Sequence, residues 1–388
     1  MPTSPEARAR HTGARLGLSL GTLVLCLAVA ECAVRSIGLE PARFAETRHL
    51  EREDKRVGLD LYPTDPENRF PLDLREPATR AAWQDRVAEL DAWAARAPHA
   101  VPGFYSPELC RVAREGEVLP ARDPARARVV LVGDSFVEGQ GVPFEDTVGA
   151  RLSAALGGST EVLACGRRGY DFAMEEDPSL RALGQWMRAH VLEADVVVYA
   201  MTLNDPARSP SFQAEQTYVD DWIVDRRRMR GHDQPARSPW SPRLLALAED
   251  RIEALRIGGA TMRWYADMVE APNAEGWRAT LAQLGRFSAE LERGGRRLVV
   301  ALWPLLVALE DAGSYPFLST HARIERDLTA LGLTFLDTSP AFTGAQTASL
   351  WVHEVDHHPN AEAHRRFTAA ISGTVRDALA RARGIPSP

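Results

Sequence analysis

The chain has 388 residues, 45% of them hydrophobic and 26% charged, with a formal net charge of −7, so it can bury a full core and holds at most two or three domains. The acidic balance leaves no electrostatic footprint for nucleic acid, which needs a basic face to neutralise phosphates. Cys26, Cys32, Cys110 and Cys165 show neither a CxxC pair nor a Cys/His zinc spacing, which sets a structural zinc site aside.

Arg8, Arg10 and Arg15 precede the uncharged run Leu16 to Ala30, and the apolar character resumes after Glu31 with Cys32-Ala33-Val34. Two readings compete: a signal peptide cleaved at Ala28-Val29-Ala30, or an uncleaved anchor from Leu16 to about Ile37. The anchor is favoured, because Glu31 and Arg35 lie four apart and can pair on one helix near the outer interface. The basic flank then leaves residues 1–15 in the cytoplasm, 16–38 as a single span and the remainder outside, in the periplasm. Residues 39–125 read as a linker and accessory cap. One amphipathic helix falls in them at about Ala78 to Ala95, where Trp83, Val87, Leu90 and Trp93 are core-packing residues. Outside the span, Cys110 and Cys165 are the one pair that can form a disulfide, and the sequence does not decide whether they meet.

Val129 to Val132 form a continuous, mostly β-branched apolar run, as a strand covered on both faces would be. It empties into Gly133-Asp134-Ser135. A helix at about Asp146 to Leu156 follows, then a strand at Glu161 to Cys165, a helix at about Phe172 to Leu192 and a strand at Val196 to Ala200 that ends in Thr202-Leu203-Asn204-Asp205. Residues 207–273 show no clear sheet element and read as an insertion, with Arg226-Arg227-Arg228 most simply a solvated face. Order resumes with a helix at about Trp277 to Glu292, a strand at Arg297 to Leu302, a helix at about Leu318 to Leu331, a short strand at Leu333 to Leu336, and a last helix at about Ala361 to Arg381 with Asn360 as its N-cap. Strands alternating with helices predict a three-layer α/β/α sandwich around a parallel, flavodoxin-like sheet of about five strands.

Three strand ends carry Ser135, Gly169 and Asn204, and the stretch before the last helix carries Asp356 and His358. In this order they resemble the blocks of the SGNH (GDSL-type) hydrolase superfamily over residues 126–383, and the anchor resembles that of its membrane-tethered bacterial members. The resemblance implies Ser135 as nucleophile, His358 as its base, and an oxyanion hole of the Ser135 and Gly169 backbone N–H groups and the Asn204 amide. The residue types suit the chemistry. A serine hydroxyl needs a neighbouring base, and the oxyanion that develops needs donors already in place.

One departure from the family pattern concerns the acid, which the family places three residues before the histidine, where this chain has Val355. Asp356 lies two before. Pro359 biases His358 toward an extended conformation, in which residues two apart share a side, so Asp356 can orient His358 while His357 points away. The cluster His353, Glu354, Asp356, His357, His358 and His364 lies too close along one segment to converge on a metal, and no cofactor is expected. The function implied is a serine esterase acting on acyl esters, such as O-acyl groups of glycans or envelope lipids, through an acyl-enzyme. Two rivals stand beside it: an O-acyltransferase that hands the acyl group to an envelope polysaccharide, and a non-catalytic tethered glycan-binding or assembly protein.

Overall fold

The computed structural model describes residues 5–37, 104–166 apart from 107, 109 and 115, 192–213, 216–219, 222–225, 242–353 and 356–384. These fall into two compact units, 1–52 with 217–261, and 53–216 with 262–388.

The second unit is built on β3 (Ala127–Gly133), whose Val129, Val130, Leu131 and Val132 are wholly buried. β3 lies between β4 (Thr160–Ala164) and β5 (Val196–Met201); β8 (Arg297–Leu302) and β9 (Thr334–Asp337) continue the sheet beyond β5. Every pairing is parallel, with Val129 opposite Val162 on one side and Val196 on the other. Strands buried on both faces have no use for alternation, which is why β3, β5 and β8 are near-continuous Val, Leu and Ala runs. Arg128 is the exception. It sits in register with Glu161 and pairs with it at 2.5 Å, so the charge it brings into the sheet is neutralised by a neighbour in the adjacent strand.

Counted along the chain, the sheet order is 2-1-3-4-5, the flavodoxin-like order expected. Right-handed crossovers place α3 (Val148–Leu156) on one face, and α6 (Ala274–Arg293) and α7 (Leu318–Ala330) on the other. The last helix, α8 (Ala361–Ala382), packs against α3, β5 and β8. Asn360 caps it by accepting from the Glu362 and Ala363 N–H groups. In this order the switch point falls between β3 and β5, the first and third strands, the place where sheets of this order bind ligands beyond the carboxyl ends of their strands.

Two short pieces stand outside the sheet in the same unit. The hairpin β1 (Phe104–Tyr105) and β2 (Arg111–Val112) is antiparallel, and β10 (Trp351–His353) pairs antiparallel with β11 (Asp356–Pro359).

The first unit contains α1 (Pro5–Ile37), within which Gly17–Ile37 is long and apolar enough to cross a membrane. Glu31 and Arg35 do pair, Arg35 Nε donating to Glu31 Oε1 at 2.6 Å. The same carboxylate also accepts the backbone N–H groups of Arg243 and Leu244, at 2.8 and 2.9 Å. Those two residues open α5 (Arg243–Asp267).

The stretch read as free of sheet departs from expectation. It contains the one-turn helix α4 (Pro210–Gln213), the two-stranded piece β6 (Gln216–Val219) and β7 (Trp222–Asp225), and α5. Gln-Thr-Tyr-Val and Trp-Ile-Val-Asp are rich in β-branched and aromatic residues, but at four residues each they are too short to show a period. The helices expected at 78–95 and 172–192, and Arg226 to Arg228, lie outside the described residues.

Candidate active site

β3 delivers the site. Gly133 closes the strand at a place where a Cβ would lie 2.7 Å from the Ala200 carbonyl oxygen and 2.7 Å from Val137 Cγ2, so no larger residue fits without movement. The chain then turns at once into the one-turn helix α2 (Ser135–Glu138), whose N-cap is Asp134: Oδ1 accepts the Phe136 N–H at 2.9 Å. The turn places Ser135 at the carboxyl end of β3, where the residue is buried, with 8% of its surface exposed.

His358 arrives from β11. Its Nε2 lies 2.9 Å from Ser135 Oγ, across 223 residues of sequence, which is the separation at which the hydroxyl donates to an unprotonated imidazole nitrogen. Alternation along the strand sends His357 to the other side, where it stacks on Trp351 at 4.1 Å. The expectation that His357 points away is therefore met. Asp356 occupies β11 two residues before His358; its side chain lies outside what is described, as does Gly169. Phe136 sets its edge against Trp303 at 5.4 Å and against His358 at 5.7 Å, so the imidazole rests against an aromatic wall. Trp303 in turn stacks on Phe367 of α8 at 3.8 Å.

Behind the serine lies a polar cluster from the end of β5. Thr202 Oγ1 is 3.0 Å from Asp134 Oδ2, 2.7 Å from Asn204 Oδ1 and 2.9 Å from Asp205 Oδ1. A hydroxyl has one proton to give, so these three oxygens cannot all accept from it, and a carboxyl group that keeps its proton supplies a further donor. The environment supplies one. Burial pushes Asp134 up to about 6, and burial together with the facing Asp134 raises Asp205 well above the usual carboxylate range, even though Asp205 accepts from Tyr199 Oη and the Thr202 N–H. Two buried carboxyls this close share a proton more readily than both ionise. With Thr202 donating to Asn204 Oδ1, Nδ2 is the amide's remaining donor.

Residues that sequence reasoning did not single out hold the nucleophile turn from its far side. Arg111, on β2 and only 4% exposed, donates from Nη1 to the carbonyls of Glu138 (2.9 Å) and Gly139 (3.3 Å) and from Nη2 to that of Val142 (3.0 Å). It thereby caps the C-terminal end of α2, where carbonyls lack helical partners. Tyr105 Oη donates to Glu138 Oε1 at 2.5 Å. Between these two residues Cys110 forms a disulfide with Cys165, just past β4, so the pair does meet. Gly166 follows immediately, and there a Cβ would fall 2.4 Å from Val137 Cβ and 2.6 Å from the Glu138 nitrogen. The signal for it was in the sequence: a glycine at a strand exit marks close backbone approach as well as an ordinary turn.

His364 on α8 is fully buried and accepts the Val148 N–H at Nδ1. Burial first, then the positive charges of Arg111 and Arg151, hold it down to about 3, so it is neutral. Among the described residues no three His, Cys, Asp or Glu side chains converge as metal ligands.

No family model matches the chain, and no curated protein does. Among solved structures it is similar to Est24, a carbohydrate acetylesterase from Sinorhizobium meliloti, at 12% identity over 65% of this chain and 99% of that one, with a TM-score of 0.35. Similar too are the native aryl esterase of M. smegmatis, at 17% identity over 65% and 99% with a TM-score of 0.33, and a G-D-S-L family protein from Desulfitobacterium hafniense DCB-2, at 13% over 64% and 99% with a TM-score of 0.33. The chain has the sheet that the SGNH resemblance implies.

Proposed function

We propose that this chain is a serine esterase of the SGNH type, acting on acyl esters through a covalent intermediate on Ser135. The observation that carries the reading is the 2.9 Å contact between Ser135 Oγ and His358 Nε2 at the switch point of the sheet, where α/β folds bind ligands.

In this reading Ser135 Oγ attacks the ester carbonyl and His358 Nε2 takes the hydroxyl proton. The carbonyl oxygen becomes an oxyanion held by the Ser135 N–H, the Asn204 Nδ2 and the Gly169 N–H. His358 then returns its proton to the leaving alcohol, leaving the acyl group on Ser135. Water, deprotonated by His358, attacks the acyl carbonyl, and the carboxylic acid departs with Ser135 reprotonated. In the same reading Asp356, two residues before His358 on β11, orients the imidazole through Nδ1. The apolar helix Gly17–Ile37 suits a tethered enzyme facing the periplasm, for which acylated glycans or envelope lipids are the substrates within reach.

The test is labelling of the purified chain by a fluorophosphonate, with Ser135→Ala and His358→Ala as controls. Labelling lost in both variants supports the reading. A folded protein that never labels, or a Ser135→Ala variant that still does, refutes it. Release of acetate from acetylated oligosaccharide, measured with and without a glycan acceptor, then separates hydrolysis from transfer.

A further inference from the structure

We propose that the N-terminal half of α5 lies in the lipid–water interface of the membrane that α1 spans, with Leu245, Ala248, Ile252 and Leu255 as its lipid-facing stripe. This rests on the reading of α1 as a retained anchor.

The argument starts from Glu31. Gly17–Ile37 has 21 residues and a mean hydropathy of 2.0, and none of it is buried in protein; at 1.5 Å per residue it is about 31 Å long, enough to cross a hydrocarbon core. Glu31 sits six residues before its end, roughly 9 Å back along the axis. The first two N–H groups of α5 hydrogen-bond directly to the Glu31 carboxylate. α5 therefore begins at the depth of Glu31, within about 9 Å of the outer end of the span and not out in solvent. The carboxylate tolerates that depth because it has three donors, the two N–H groups and Arg35, and because it faces the positive end of a helix dipole.

A helix that begins at this depth should carry lipid-facing residues in its first turns, and α5 does. At 100° per residue, Leu245, Ala248, Ile252 and Leu255 fall within about 80° of one another. The three large residues are 56%, 59% and 71% exposed. The exposed residues Glu249 and Arg251 border the stripe on its two sides, and Ala246, on the opposite side of the helix, is buried. The helix thus has two apolar sides, one covered by protein and one open. An open apolar stripe bordered by charge is how a helix lies in a membrane surface, and its continuity with α1 through Glu31 selects the bilayer as what covers it.

The test uses the full-length chain in vesicles of phosphatidylethanolamine and phosphatidylglycerol containing doxyl-labelled lipid. A thiol-reactive, polarity-sensitive fluorophore is placed at one site at a time: at native Cys26 in a Cys32→Ser background, and at Ile252→Cys, Leu255→Cys or Glu249→Cys in a Cys26→Ser, Cys32→Ser background. Blue-shifted emission and quenching at Cys26, 252 and 255, at least twofold stronger than at 249, support the proposal. Support is strengthened if Glu31→Ala lowers quenching at 252 while leaving Cys26 quenched, and Glu31→Asp restores it. Quenching at Cys26 with 252 and 255 no different from 249 overturns the proposal and leaves the anchor standing. Absence of quenching at Cys26 overturns both. A disulfide cross-link between two copies through Ile252→Cys, with no lipid quenching at 255, overturns it in favour of a second chain as the covering partner.

Discussion

Replacing Arg111 by methionine removes a guanidinium that holds three carbonyls of the nucleophile turn while keeping an unbranched apolar stem in its place. Two of its contacts, at 2.9 and 3.0 Å, are of good length and buried, and a hydrogen bond involving a charged group contributes about 1.5–3 kcal/mol. With part of the loss offset by the methionine's own packing, the variant should be less stable by about 4 kcal/mol, a fall in melting temperature of roughly 8–16 °C. The turn it releases carries Ser135 at its start, and a displacement on the order of 1 Å costs up to about 100-fold in rate. Fluorophosphonate labelling at 25 °C, where circular dichroism shows the variant folded, should therefore slow by roughly 10- to 100-fold. Arg111→Lys, which keeps the charge but not the fork, should lie between the two. A variant that melts earlier but labels at the wild-type rate would show that Arg111 supports the fold without positioning the serine, and an unchanged melting temperature would refute the energetic argument as well.

The Cys110–Cys165 bridge closes a loop of 55 residues, for which chain entropy alone gives about 4 kcal/mol; Cys110→Ser with Cys165→Ser should unfold in urea where wild type does once reduced, and equal midpoints for reduced and oxidised wild type would contradict this. Asn204→Ala should slow labelling by about 100- to 1,000-fold with little change in melting temperature, and a loss below threefold would remove Asn204 from the oxyanion hole. His364, held at about 3 against 6.5 when unfolded, contributes stability that is fully present above pH 6.5 and is lost as pH falls through 6.5 toward 3, because the unfolded chain takes up the proton first. Asp134, raised to about 6, acts in the opposite sense, costing stability as pH rises from about 4 to 6. The stability gap between wild type and His364→Gln should accordingly be widest above pH 6.5 and narrow below it in urea titrations. A gap independent of pH would contradict the account.

The parts of this structure that show in the sequence are those with a strong local pattern. β3, β5 and β8 are apolar on both faces and bounded by glycine or polar turns, so their burial is written into consecutive residues. Ser135 and Asn204 stand out because each follows such a strand, and His358 because it lies just before the Asn360 cap of the last helix. α5 does not, since it has two apolar sides with charges between them and the period is diluted. Arg111 and Tyr105 left no mark either. Their partners lie 27 to 33 residues away, and Arg111, bonded to backbone carbonyls, imposes no residue type on the positions it contacts. Glu31 was read as the partner of Arg35, which it is, but its larger role is with backbone N–H groups 212 and 213 residues on.

The β10–β11 hairpin puts two adjacent histidines on opposite sides of one strand, His358 against Ser135 and His357 against Trp351. A strand has two reading frames, and a shift of one residue exchanges them. Adding or removing a single residue between β10 and β11 would thus present the other imidazole to the serine and leave the composition of the site untouched. Changing that length by two residues would keep the frame. For this segment, length parity constrains variation more tightly than residue identity does, and drift in the hairpin should proceed in steps of two.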